Sequence, residues 1–119
     1  MNGVTRCLVG YSGGVELNPT YQTIMDHTEA LLIEYDPTII SYGEILKEWK
    51  HQMGEPYPSK RQYRSAIFCL NDEQSALAQE FCQQNVKQPK FVDIEPTTRF
   101  YMAEEYHQDY VEKAMRRRF

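Results

Sequence analysis

Cysteine is scarce in this chain and carries no pattern. Three occur in 119 residues, Cys7, Cys69 and Cys82. With no C-x-x-C pair and no histidine pair at ligand spacing, both a zinc site and a disulfide framework are excluded. Long apolar runs are lacking too. Nothing approaches the ~20 residues needed to cross a bilayer, and the first residues do not follow the basic-then-apolar order of a signal peptide. Positive charge is in deficit, with 13 Lys and Arg against 17 Asp and Glu for a net charge of −4, so neither nucleic acid nor membrane insertion is expected. The triplet Arg116-Arg117-Arg118 reads as a solvated tail. There are no internal repeats and no low-complexity tracts. These absences together predict a soluble protein of a reducing compartment, such as cytoplasm or an organelle stroma, with no cofactor and no metal.

What is present is one continuous succession of elements over residues 1–119, read as a single domain large enough to bury a core without cross-links. Residues 4–9 form a predicted strand ended by the glycine-rich turn Gly10-Tyr11-Ser12-Gly13-Gly14. Asn18-Pro19 opens a helical turn, with Tyr21, Ile24 and Met25 on one side. A second strand is predicted over residues 31–35. Ser41 as N-cap, Glu44 three residues on, and Ile40 facing Ile45 form a capping box with a hydrophobic staple. The helix that follows carries Tyr42, Ile45, Leu46, Trp49 and Met53 as one apolar stripe, which makes Trp49 a core residue. Gly54, Pro56 and Pro58 break both periodicities and predict a loop from Gln52 to Arg61. A third strand over residues 64–70 leads to a helix capped at Asn71, with Leu77, Ala78, Phe81 and Val86 facing inward. Phe91 to Glu95 alternates like a half-buried strand, residues 100–102 are extended, and a last helix carries Tyr106, Tyr110 and Ala114.

The chemically informative stretch is residues 18–37, NPTYQTIMDHTEALLIEYDP. Glu29 is followed at once by Ala30-Leu31-Leu32-Ile33, so it stands at the mouth of an apolar strand. Desolvation there would raise its pKa and keep its proton available for donation, whereas a glutamate flanking a strand is ordinarily a surface residue. His27 is read as hydrogen-bonded to a loop carbonyl. Tyr11, among glycines, is either a packing residue or a site residue.

Asn18-Pro19-Thr20-Tyr21, His27-Thr28-Glu29-Ala30 and Glu34-Tyr35-Asp36-Pro37 resemble the N-P-T-Y, G-H-A-E-A and E-Y-D-P motifs of the A-type peptide methionine sulfoxide reductases. The likeness continues in order along the chain. Gly10-Tyr11-Ser12-Gly13-Gly14 resembles G-Y-x-G-G, Ile40-Ser41-Tyr42 resembles I-S-Y, and Gln62-Tyr63-Arg64-Ser65-Ala66-Ile67 resembles Q-Y-R-S-A-I. Phe100-Tyr101-Met102-Ala103-Glu104 and Tyr106-His107-Gln108 resemble F-Y-x-A-E and Y-H-Q. The resemblance implies a ferredoxin-like α+β fold, a two-layer α/β sandwich with a mixed sheet. It also implies Glu29 as proton donor, with Tyr11 and Tyr63 binding the sulfoxide oxygen.

The family's chemistry further needs a thiolate to attack the sulfoxide sulfur and an aromatic cage for the methyl group, both supplied by a G-C-F-W segment at the end of the family's first strand. No such segment occurs in these residues. Along an extended strand at ~3.3 Å per residue, Cys7 stands roughly 13 Å from Tyr11 and Cys69 roughly 20 Å from Tyr63, while Cys82 reads as a buried thiol. Pro58 occupies the place of a family aspartate, and the recycling cysteines after the last helix have no counterpart. The expectation is therefore a reductase-like domain without catalysis, serving as a structural or protein-binding subunit. A partner would cover the strand edges left by the family's internal first strand and its helix. The alternative is an active reductase whose cysteine segment lies outside these residues.

Overall fold

The computed structural model describes residues 2–14 and 27–103, apart from the side chain of Gln62. The helical turn expected after Asn18, the last helix and the arginine tail lie outside the described residues. The elements are β1 (Val4–Ser12), β2 (Thr28–Tyr35), α1 (Tyr42–Met53), a 3-10 turn (Arg61–Tyr63), β3 (Ser65–Cys69), α2 (Asp72–Asn85), a second 3-10 turn (Pro89–Phe91), β4 (Val92–Pro96) and β5 (Tyr101–Met102). The class is α+β, as expected. The antiparallel and parallel pairings of the anticipated mixed sheet are divided here between two sheets, a three-stranded one in the order β2-β1-β5 and a two-stranded one, β3-β4.

Both helices begin where their capping residues stand. Ser41 Oγ accepts the Glu44 amide at 3.1 Å, and Asn71 Oδ1 accepts the Gln74 amide at 2.8 Å, so each satisfies a donor that the first turn leaves open. Gly54 ends α1 with a positive φ of 70°. The stripe on α1 buries Ile45 and Leu46, but Met53, at the helix end, is 49 % exposed. On α2 the buried line runs through Ala78 and Cys82 to Val86 at i, i+4, i+8, and Leu77, expected inside, is 41 % exposed. Leu77 precedes Ala78 by one position, about 100° around the helix, and that rotation carries it off the packed face.

Because β3 and β4 run parallel, they need a crossover, and α2 supplies it by packing back on both strands. The main core forms in that layer, from Leu46, Ile67, Cys69, Ala78, Cys82, Val86 and Val92, with Tyr42, Trp49, Phe81 and Ile94 around them. Trp49 is thus a core-packing residue, as its periodicity indicates. The antiparallel sheet has a separate small cluster in which Tyr11 and Ala103 are buried against Val9 and Tyr101. β2 begins three residues earlier than its apolar run suggests, so Glu29 lies within the strand as its second residue instead of at its mouth.

Arg64 ties the sheets to each other. Its side chain is 8 % exposed, yet its guanidinium is fully engaged, with Nη1 and Nη2 on the Glu95 carboxylate at 2.6 and 3.1 Å and Nη1 on Asp93 at 3.0 Å. The planar fork suits such bidentate pairing, and the Phe68 ring covers it at 5.6 Å from the ring centroid. Gly13 lies against the same group. Its φ is +86°, and a Cβ placed there would stand 2.7 Å from Arg64 Nη2 and 2.8 Å from the Phe68 ring. Gly13→Ala should therefore lower stability by about 1–3 kcal/mol, read from the urea midpoint, because the left-handed backbone and the contact both oppose a side chain.

The arginine also makes folding pH-dependent. Its hydrogen bonds hold the Glu95 carboxyl below the usual carboxylate range. A group depressed in the folded state contributes stability above its unfolded pKa and loses that contribution as pH falls through the folded value. Urea unfolding followed from neutral pH downward should show stability falling below the ordinary glutamate range, and Glu95→Gln should flatten that fall.

Candidate active site

The three residues singled out by motif come from three different elements. Tyr11 and Glu29 are direct cross-strand partners in the β1–β2 register, which places their side chains on the same face of the sheet. Tyr11 is also the register partner of Tyr101 on β5, and it is 1 % exposed. Tyr63 sits in the 3-10 turn beside the start of β2 and is 51 % exposed. The fold thus brings Tyr11 and Glu29 together, while Tyr63 stands on the flank, toward solvent.

A set of hydrogen bonds assembles the loops around this pair. The Thr28 hydroxyl donates to the Arg61 carbonyl at 3.0 Å and accepts from Arg64 Nε at 2.6 Å. Arg61 Nη2 donates to the Gly13 carbonyl at 2.7 Å. Ser12 Oγ donates to the Arg99 carbonyl at 3.1 Å, and the Gly13 amide donates to Thr98 Oγ1 at 3.3 Å. His27 is fully buried, and its Nδ1 accepts the Gly14 amide at 3.2 Å. An acceptor role for Nδ1 puts the proton of the neutral ring on Nε2. The imidazole meets the Tyr101 ring edge-on, with centroids 5.4 Å apart. The end of β1, the start of β2, the 3-10 turn and the approach to β5 are therefore one polar assembly.

Beside it opens a largely apolar cleft of about 420 Å³ between the two sheets. Glu29 lines it with Leu31 and Ile33 of β2, Trp49 of α1, Phe68 of β3 and Phe100. Tyr11 and Tyr63 are not part of its lining. β2 and β3 both have an edge that pairs with no strand among the described residues, and residues 30–33 and 66–68 of those strands line the cleft.

None of the three thiols lines the cleft. Cys7 is the register partner of Ile33, four positions along β2 from Glu29. Cys69 and Cys82 are 3 % and 1 % exposed in the other core, and burial pushes both thiols above the ordinary cysteine value. The Tyr42 hydroxyl lies 4.0 Å from Cys69 Sγ, and burial raises that phenol as well. A nucleophilic thiol needs the opposite shift. Thr28, Arg61 and Arg64 hold the polar assembly together, and periodicity did not reveal them. The available signal was an arginine directly ahead of an apolar strand, inside the Q-Y-R-S pattern.

The family model described as peptide methionine sulfoxide reductase matches residues 1–119. The peptide methionine sulfoxide reductase of Drosophila melanogaster is 43 % identical over 114 residues, covering 91 % of this chain and 46 % of its own length. Peptide methionine sulfoxide reductase MsrA 1 of Rhodopirellula baltica is 39 % identical over 124 residues, covering 92 % of this chain and 64 % of its own. Among solved structures, methionine sulfoxide reductase A of Corynebacterium diphtheriae superposes with a TM-score of 0.74 at 26 % identity, over 93 % of this chain and 64 % of that one. Reduced Mxr1 of Saccharomyces cerevisiae gives 0.71 at 28 % identity, over 94 % of this chain and 72 % of that one. The chain spans about half to two-thirds of the length of the first two relatives. Collinear motifs, a shared fold and a match along the full length agree, and the chain belongs to the peptide methionine sulfoxide reductase family.

Proposed function

We propose that this chain supplies the proton-donating, oxygen-binding side of a peptide methionine sulfoxide reductase site, acting on methionine sulfoxide in proteins, and that its own three thiols take no part. The observation that carries this reading is the cross-strand pairing of Glu29 with Tyr11 beside an apolar cleft without a cysteine. Glu29 is the proton donor to the departing oxygen. Tyr11 braces it from the neighbouring strand, and Tyr63 closes over the oxygen from the 3-10 turn. The methyl and side-chain carbons of the substrate take the apolar lining, where their burial is favourable.

The thiolate comes on a strand that enters between β2 and β3, from a segment or partner beyond these residues. Two strand edges that pair with no strand among the described residues, both belonging to strands that line one apolar cleft, support this geometry, because each edge offers backbone groups that an extended segment can satisfy. The second reading, a structural or protein-binding subunit without catalysis, is supported by the burial of Cys69 and Cys82 in the other core, away from the cleft. It describes the isolated chain. The complemented chain is the enzyme.

The assay uses a methionine sulfoxide peptide with dithiothreitol, and methionine is followed by mass spectrometry. The chain alone should show no turnover. Adding a synthetic apolar strand peptide that ends in Gly-Cys-Phe-Trp should produce turnover, and Glu29→Gln should reduce it by about 100-fold, the usual worth of a general acid. A cysteine-dependent rate from the chain alone would contradict the assignment of the thiols. A bound strand peptide without turnover would contradict the assignment of the acid.

A further inference from the structure

Thr28 is 2 % exposed, and its hydroxyl has one proton. Because the Arg61 carbonyl can only accept, that proton goes to it, and the oxygen lone pairs remain for the Arg64 Nε–H. Arg61 and Arg64 bracket Tyr63. The 3-10 turn is therefore fastened at both ends to one hydroxyl, and the residue after that hydroxyl is Glu29. Thr28 Oγ1 thus links the strand that carries Glu29 to both residues that bracket Tyr63. The arginine cannot drift with the turn, because Glu95, Asp93 and the Phe68 ring hold its guanidinium on the parallel sheet.

We propose that Thr28 and Arg64 are positioning residues of the reductase site, a clasp that sets the glutamate of β2 against the tyrosine of the 3-10 turn. The inference rests on the functional reading above and assigns roles to two residues that reading leaves without one. It separates placement from stability. Thr28→Val keeps the shape of the side chain but removes both hydrogen bonds, whereas Thr28→Ser keeps the hydroxyl. Arg64→Lys keeps the charge but lacks the planar fork that reaches Thr28 and Glu95 together.

The test labels the chain with 3-fluorotyrosine and follows the Tyr63 signal by fluorine NMR, then titrates N-acetyl-methionine sulfoxide methylamide into each variant. In Thr28→Val the Tyr63 signal should move toward that of free fluorotyrosine, and sulfoxide affinity should fall roughly fivefold, the equivalent of losing the one hydrogen bond from Tyr63 to the sulfoxide oxygen. Thr28→Ser should match the parent chain in both readouts. A purely structural role would lower the unfolding midpoint and leave the affinity of the folded fraction unchanged, which would overturn the proposal. So would equal impairment in the valine and serine variants. If Thr28→Val does not fold, Arg64→Lys carries the test, and an unmoved Tyr63 signal there overturns the clasp. Absence of sulfoxide binding by the parent chain would sink the functional reading instead, and the clasp would then stand or fall on the Tyr63 signal alone.

Discussion

A nearly buried guanidinium organises this molecule. Placing Arg64 at 8 % exposure is favourable only because its N–H groups meet two carboxylates and a hydroxyl, and that requirement dictates what surrounds it. Asp93 and Glu95 must lie on the strand beside it, Thr28 must open the strand across from it, and a residue without a side chain must pass over it at Gly13. Two sheets that share no strand are thereby joined at one end by polar contacts.

Directly beside those contacts they part, since Thr28 and Arg64 themselves line the cleft. The main core is confined to the two helices and the parallel pair, while the antiparallel sheet buries its own small cluster around Tyr11. The cleft between them is apolar because each layer turns hydrophobic residues toward it, Leu31 and Ile33 from one side and Trp49 and Phe68 from the other. Glu29 lines this space together with those apolar side chains. The thiols lie elsewhere, two of them in a packed interior that favours the protonated, unreactive form. Glu29 and the apolar lining border the cleft, and none of the three cysteines does.

Local chemistry made much of the fold legible. Ser41 and Asn71 cap the helices as their side chains dictate, and the α1 stripe finds the core through Leu46 and Trp49. The strands fall close to their hydrophobic runs. The exceptions arise where long-range packing decides. Leu77 has the right neighbours in sequence but lies on the wrong side of the line through Ala78, Cys82 and Val86, which the parallel sheet selects. β2 reaches back to Thr28 because β1 extends to Ser12 and offers it partners, although Thr28 and Glu29 are not apolar. Of the site, Glu29 and Tyr11 could be named from motifs, but their pairing is a matter of register. The clasp was invisible, since a threonine and an arginine 36 positions apart have no periodicity to betray a shared hydrogen bond.

The division into two sheets with room for a strand between them is the claim on which the account turns. Amide hydrogen exchange measures it directly, because an edge amide is protected only when another strand pairs with it. With the Gly-Cys-Phe-Trp strand peptide added, those amides of residues 30–33 of β2 and 66–68 of β3 that point away from β1 and β4 should gain protection of roughly tenfold or more, while β5 stays unchanged. Protection at those positions already present in the chain alone, or unaltered when the peptide binds, would contradict the account.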